Sequence, residues 1–421
     1  MKNQNLTFIS IPLFLLLAII YLNSSPTRIS LKKYLENNRT PASAKGLDVT
    51  IAAGDSVSIT ESTNINHLVI HGELHCDEEN ADNEIILRAK SISVMGLLKC
   101  GSLTNTYDKK FIISLKPSSL DPKSDHRYRG LVVMGRGQLD LFGNKKNSRW
   151  FKLKSTLQAG SNELVIDNGL MRPIRNIKKI NRLNKSRRRR PINTRLLGWK
   201  VGDEIVVAPT AYNPSESEKF IITGFDKSNP NKIYLDHPAL YNHFGEKQVM
   251  NSNAIGRFNL DERAEVANLT RSIVIRGDES QSPISETDTP GAEWGAHVMV
   301  HGGSSSYIDS VEFTKVGQAG VMARYPFHWH YTGDASGQFV RNSSIHNSYQ
   351  RCITIHRTQN VDLINNVCFD FKGHGYFLED GNETGNRIIR NLAISAKAPY
   401  ESKVLLRSDS IQHSETAGRF P

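Results

Sequence analysis

The chain predicts an all-β protein whose C-terminal half stacks its coils as parallel strands. Three observations carry that expectation. Short Val/Ile-rich segments lie between clusters of Gly, Asn, Asp and Ser, while helix-length amphipathic runs are scarce. Segments recur at an offset of about 23 residues, within the range of repeat architectures. Inside them apolar and polar residues alternate, as strands with one buried face require.

The repeat is densest over Arg324–Gly381. Arg351-Cys352-Ile353-Thr354-Ile355-His356 aligns with His374-Gly375-Tyr376-Phe377-Leu378-Glu379. Asn342-Ser343-Ser344-Ile345 falls on Asn365-Asn366-Val367-Cys368 at the same offset. Ala319-Gly320-Val321-Met322-Ala323-Arg324 fits the template if about nine residues are added to the intervening loop. Stacked coils lie about 4.8 Å apart. This register makes Arg324, His356 and Glu379 a ladder on one face and turns Ile353 and Ile355 to the other. Asn342, Asn365, Asn366 and Asn391 recur at coil corners and read as turn formers.

At 421 residues the chain is long for one compact domain, and two units are expected. Charged residues at 23% and hydrophobic ones at 38% suit a folded protein and exclude a disordered one. A net charge of +11 suits an anionic partner. Much of it is local: Met171–Lys200 has no acid and contains Lys185-Ser186-Arg187-Arg188-Arg189-Arg190, a solvated loop or a polyanion patch. Lys2 precedes the apolar run Leu6–Leu22, which reads as a signal peptide or an uncleaved membrane anchor, so the body is expected to be exported. Of four cysteines, Cys76 and Cys100 end successive strands and could pair; Cys352 and Cys368 lie in apolar strands. No CxxC is present, and the cysteines read as structural with connectivity left open.

The first strand block, Leu47–Gly143, is punctuated by Gly54, Gly72, Gly96, Gly101, Gly130, Gly135, Gly137 and Gly143, expected at corners needing φ > 0. Its patterns Thr50-Ile51-x-x-Gly54-Asp55-x-Val57 and Leu68-x-Ile70-x-Gly72-x-Leu74 resemble the G8 domain. The likeness continues through Trp199-Lys200-Val201-Gly202-Asp203-Glu204, Arg263-Ala264-Glu265-Val266, Ile273-Val274-Ile275-Arg276-Gly277-Asp278 and Arg324-Tyr325-Pro326-Phe327-His328-Trp329-His330. Together, over roughly residues 45–408, these resemble the family of the cell-surface hyaluronidase, the cell migration-inducing hyaluronan-binding protein and fibrocystin-like proteins.

That resemblance implies a G8 β-domain followed by a right-handed parallel β-helix, exposed outside the cell and often held by one N-terminal anchor. For the hyaluronidase branch it implies depolymerisation of hyaluronan with calcium. The expected division is a signal or anchor at 1–25, a linker at 26–45, G8 at 46–170, a basic loop at 171–196 and the β-helix at 197–421. The branch's further inserted domain is not expected, because only the basic loop separates Trp150-Phe151 from Trp199. No cap for the last coil is legible near Pro421.

The candidate chemistry sits on the ladder face. Glycoside hydrolysis uses two carboxyl groups about 5–5.5 Å or about 6.5–9.5 Å apart. Glu379 is the expected acid, tuned by His356 and Arg324, with Asp334 as its partner; Asp380, next in sequence, is expected on the opposite face. A lyase would instead neutralise a uronic carboxylate and remove the C5 proton, work suited to Arg324, Arg351, His356 and His374. His328 and His330 share one face of an extended segment, so hydrogen bonding, sugar contact and metal ligation all stay open. One groove is therefore expected from Arg324, His328, His330, His356, His374 and Glu379 as catalytic groups, with Arg351 and Asp380 binding substrate. Two functions fit: depolymerisation of an anionic polysaccharide such as hyaluronan, or a non-catalytic glycan-binding surface. A nucleic-acid partner is not expected.

Overall fold

A computed structural model describes residues 28–37, 47–79, 81–117, 125–144, 149–167, 198–229, 231–254, 256–278 and 293–397. The apolar run Leu6–Leu22, the basic loop and the last 24 residues lie outside them. Among the described residues no helix is long and apolar enough to cross a membrane.

Three parallel sheets of nine, eight and eight strands wrap one continuous core. Each coil adds one strand to each sheet, so neighbours in a sheet come from successive coils. Alternation within the strands sends Ile353, Ile355, Phe327 and Trp329 inward, where all are essentially unexposed. This is a parallel β-helix, as the alternation and the repeat predict.

The division of the chain differs from the sequence partition at 170 and 197. Strands before Gly143 and after Ser272 stack in the same three sheets: Lys110–Leu115 pairs directly with Ile273–Gly277, and Gly130–Val133 with His297–His301. Between them the chain leaves the stack and closes a six-stranded barrel, from Trp150–Leu153 to Glu265–Asn268. The barrel strands pair antiparallel around a separate core of Phe151, Leu164, Trp199, Ile205, Phe220 and Ile233. So strands expected to end the G8 domain and to begin the β-helix form an inserted folded unit of their own. Its hairpins are joined by local turns, and their alternation looks no different from that of the coils.

The barrel docks on the helix through Val206, Ala267 and Leu269 against Val367, Phe369 and Ile394. Buried Arg271 ties the two together: its Nε donates to the Asn342 carbonyl at 3.0 Å and its Nη1 to the Asn268 carbonyl at 2.9 Å. Burial lowers the Arg271 pKa to about 10, which leaves it charged at neutral pH.

Part of the expected linker is structured. Ile29–Ser30 joins the nine-stranded sheet, and the helix Leu31–Asn37 buries Leu31 and Tyr34 in the core. The Tyr34 hydroxyl donates to Asp55 Oδ2 at 2.7 Å. An open coil end exposes unpaired strand edges, and this segment shields one.

The corner residues divide by physics. Asn342 and Asn365 take φ of 56° and 57°, the left-handed conformation that Asn tolerates. Gly135 does the same at 72°. Gly96 serves another need: a Cβ there would lie 2.0 Å from the Gly72 carbonyl of the neighbouring coil. Both cysteine pairs are disulfides, Cys76–Cys100 across two coils and Cys352–Cys368 within one.

Candidate functional site

The second sheet, from Val49–Ile51 to Tyr376–Leu378, carries the site on its outward face. Strand Phe327–Asp334 points Phe327 and Trp329 inward, which leaves His328 and His330 on the outer face. Its neighbours are His297–His301 on one side and Ile353–Gln359 on the other. In that register His301, His330 and His356 stand on successive rungs. Glu379 follows directly, its amide donating to the Ile355 carbonyl at 3.0 Å.

The ladder is therefore His301, His330, His356 and Glu379, and Arg324 is not on it. The 23-residue register of Ile353–Ile355 with Tyr376–Leu378 and of Ser344–Ile345 with Val367–Cys368 is as expected. The coil before is longer: Phe327 pairs with Ile353, 26 positions on, and Val298 with Phe327, 29 positions on. The rung is chosen by which apolar pair can enter the core, and the aromatic Phe327/Trp329 pair fills it where Val321 and Ala323 would not. Met322 lies 59% exposed on a loop. Arg324 is buried below that loop, donating to Gln318 Oε1 at 3.1 Å and to the Asp125 carbonyl at 2.8 Å.

Glu379 sits at the centre. The Tyr325 hydroxyl donates to its Oε1 at 2.9 Å, and Arg351 Nη1 lies 3.9 Å from the same oxygen. Its Oε2 lies 3.5 Å from both His328 Nε2 and His356 Nδ1. Burial by itself would raise its pKa, but His328, Tyr325 and Arg351 outweigh burial and hold Glu379 down to about 2. That direction works against the proton-donating role expected for it above. Burial also pushes His328 down, and takes His330 to about 3 with help from the neighbouring imidazoles.

Asp380 was expected on the opposite face, yet it reaches the same histidine. The strand ends at Leu378, so alternation no longer applies. His356 Nε2 lies 3.6 Å from Asp380 Oδ1, and Arg357 Nε donates to Asp380 Oδ2 at 2.7 Å. Asp334 is not joined to this cluster by any contact seen; its Oδ1 accepts from Ser336 and Asn360 and shapes a turn. Arg351 is sandwiched, its guanidinium 4.5 Å from the Tyr325 ring centre and 3.8 Å from that of Phe377. His374 stacks on Phe377 at 4.7 Å, so it supports the rim of the cluster.

Tyr325 and His301 are functional candidates that sequence reasoning missed. His301 had a signal, because Val298-Met299-Val300-His301 repeats the pattern of Phe327-His328-Trp329-His330 one coil earlier. Tyr325 had none. The imidazoles continue as a file, with His301 5.3 Å from His330 and His126 5.9 Å from His301. Beyond His126 the face opens into a cavity of about 580 Å³ lined by Val69, Ser93, Met95, Asp125, His126, Arg127 and Met134.

The calcium that the resemblance implies does not fit the cluster. Ca²⁺ takes six to eight oxygen ligands, and His328, His330 and His356 present nitrogens, with Glu379 and Asp380 the carboxylates beside them.

His297, one strand end away, gives a pH test. It is fully buried with neither ring nitrogen bonded, and burial, then the Arg324 charge, hold its pKa well below the usual value. The unfolded chain takes up this proton near pH 6.5 and the folded chain resists it. The stability it contributes is thus complete above about pH 6.5 and is lost as the pH falls below it. His297→Leu is expected to flatten the acid-side slope of urea-unfolding free energy by up to about 1.4 kcal/mol per pH unit. Equal slopes for both proteins between pH 7.5 and 5.5 would refute this.

A parallel β-helix interrupted by a barrel, with a histidine-rich outer sheet, defines the class. Residues 35–154 match the G8 domain and residues 293–419 the CEMIP beta-helix, so the chain carries both of these family regions. It is 28% identical over 403 residues to human Fibrocystin-L, covering 87% of this chain and 9% of that protein. To human Cell surface hyaluronidase CEMIP2 it is 34% identical over 210 residues, 47% of this chain and 14% of that one. Communication mutant protein F of Dictyostelium discoideum is 27% identical over 357 residues, 82% of this chain and 27% of the relative. The chain spans between 9% and 27% of the length of these three relatives. Among solved structures, the Pseudomonas phage phi297 tailspike gp61 aligns over 78% of this chain and 40% of its own, at 10% identity and a TM-score of 0.20.

Proposed function

We propose that this protein depolymerises an anionic, uronic-acid-containing polysaccharide on the outer face of the second sheet. One observation carries the reading: the Glu379 carboxylate is buried beside two imidazoles, a tyrosine hydroxyl and an arginine on the outer side of this sheet. Desolvated charge of that kind is costly unless it is used. The relationship to a protein named as a hyaluronidase points to the same substrate class.

The roles follow from position. Arg357, whose side chain is 56% exposed, offers positive charge to a sugar carboxylate, and Arg351, buried between two rings, adds to the positive field from below. His356 lies between Glu379 and Asp380, so it can accept a proton and be stabilised as imidazolium. Glu379 remains charged and supplies the field rather than the proton. Two disulfides favour an oxidising compartment, in keeping with an exported, surface-held protein.

The test is incubation of the full chain with size-defined hyaluronan and other acidic polysaccharides, followed by polymer length on gels. Progressive shortening of at least one polymer is the expected result. Binding without shortening would establish the glycan-binding alternative, and neither would remove the polysaccharide reading.

A further inference from the structure

We infer that His328, His330, His356 and Glu379 form a binding site for one divalent first-row transition-metal ion. This goes beyond the polysaccharide reading; the proton-accepting role given above to His356 belongs to the metal-free cluster, and a bound ion would stand where that proton does.

The first is atomic bookkeeping at Glu379. Its Oε1 is satisfied by the Tyr325 hydroxyl. Its Oε2 is buried with no hydrogen-bond partner, and so is His328 Nε2, which faces it at 3.5 Å. The other ring nitrogen of His328, Nδ1, lies 3.2 Å from the Ala323 carbonyl. A carbonyl only accepts, so Nδ1 carries a hydrogen; in the neutral ring Nε2 then presents its lone pair to a carboxylate oxygen, and only a proton or a metal ion can join the two. Two acceptors then face each other in a buried place, an arrangement that calls for a cation between them.

The second is the spacing. His328, His330 and His356 each offer a ring nitrogen, all within 4.8 Å of one another. His356 Nδ1 lies 3.3 Å from His330 Nδ1 and 3.5 Å from Glu379 Oε2. Ligands about 2.0–2.1 Å from a tetrahedral ion stand roughly 3.3–3.4 Å apart. Three separations in the cluster, 3.3, 3.5 and 3.5 Å, fit edges of such a tetrahedron. Three imidazoles with one carboxylate suit Zn²⁺ and its first-row neighbours.

The third is the outer layer. Metal-bound histidines usually donate their second nitrogen to a carbonyl or a carboxylate. His328 does so to Ala323, and His356 Nε2 points at Asp380 Oδ1 from 3.6 Å. The scaffold is rigid as well, since His328 and His330 flank the fully buried Trp329 on one strand.

The experiment strips the full chain with a chelator and titrates it with Co²⁺, followed by Zn²⁺ competition, with metal counted by mass spectrometry. About one equivalent of Co²⁺ is expected, with the visible absorption of a four- or five-coordinate site that Zn²⁺ erases. His330→Ala and His356→Ala, both at half-buried positions, should each weaken binding at least about tenfold. His237→Ala, in the barrel, should leave it unchanged. Glu379→Gln serves as the second variant should a histidine variant fail by circular dichroism, and should weaken binding likewise. No stoichiometric uptake by folded protein would overturn the proposal and leave a proton as the bridging cation. So would uptake indifferent to these three substitutions. Metal content is read without polysaccharide, so failure here and failure of the depolymerase reading are separately visible.

Discussion

Glu379→Gln lowers the rate of polysaccharide shortening by about 100-fold or more while the protein stays folded. The substitution preserves size, and the Tyr325 hydroxyl can still donate to the amide oxygen, replacing the 2.9 Å bond to Oε1. What disappears is the negative charge facing His328, His356 and Arg351. An imidazole that takes a proton during turnover then has no carboxylate beside it on this side. Binding of the intact polymer should fall far less, because Arg351 and Arg357 remain. Initial rates on size-defined hyaluronan, paired with binding by the same preparation, make the comparison. A variant as fast as the wild type, folded by circular dichroism, would move the chemistry off this sheet.

Trp329→Ala is expected to destabilise the protein by about 3–5 kcal/mol, seen as a lower urea midpoint. Trp329 is the largest fully buried side chain among the described residues and packs edge-on against Phe327 at 4.8 Å. Its Nε1 reaches Ser306 Oγ at 3.1 Å and Gln338 Oε1 at 3.0 Å, which ties two sheets together. Alanine leaves both a cavity and unsatisfied polar atoms. Trp329→Phe, which keeps most of the volume, should cost about 1–3 kcal/mol for the polar loss alone. Because His328 and His330 flank it, Trp329→Ala should also loosen the cluster on the other face. An unchanged midpoint would mean that Trp329 does not point inward.

Local pattern determined a good deal on its own. Period-two alternation showed that Ile353 and Ile355 face a core, and the 23-residue match placed His356 beside Glu379. Motif resemblance marked the G8 and β-helix regions that the family comparisons match. These features depend on neighbours in sequence, or on two coils of equal length, and a chain displays both directly.

Tertiary structure alone decided the rest. Coil lengths of 29, 26 and 23 residues slide the register from one rung to the next, so sequence offset could not tell whether Arg324 or His330 stands beside His356. Packing chose His330, because Phe327 and Trp329 fill the core where Val321 and Ala323 would not. The barrel was invisible for a related reason: Leu115 and Gly277 are rung neighbours across more than 160 residues, and no local signal records that the chain returns. Tyr325 meets Glu379 across 54 residues, and only the stacking of two coils brings its hydroxyl to that carboxylate.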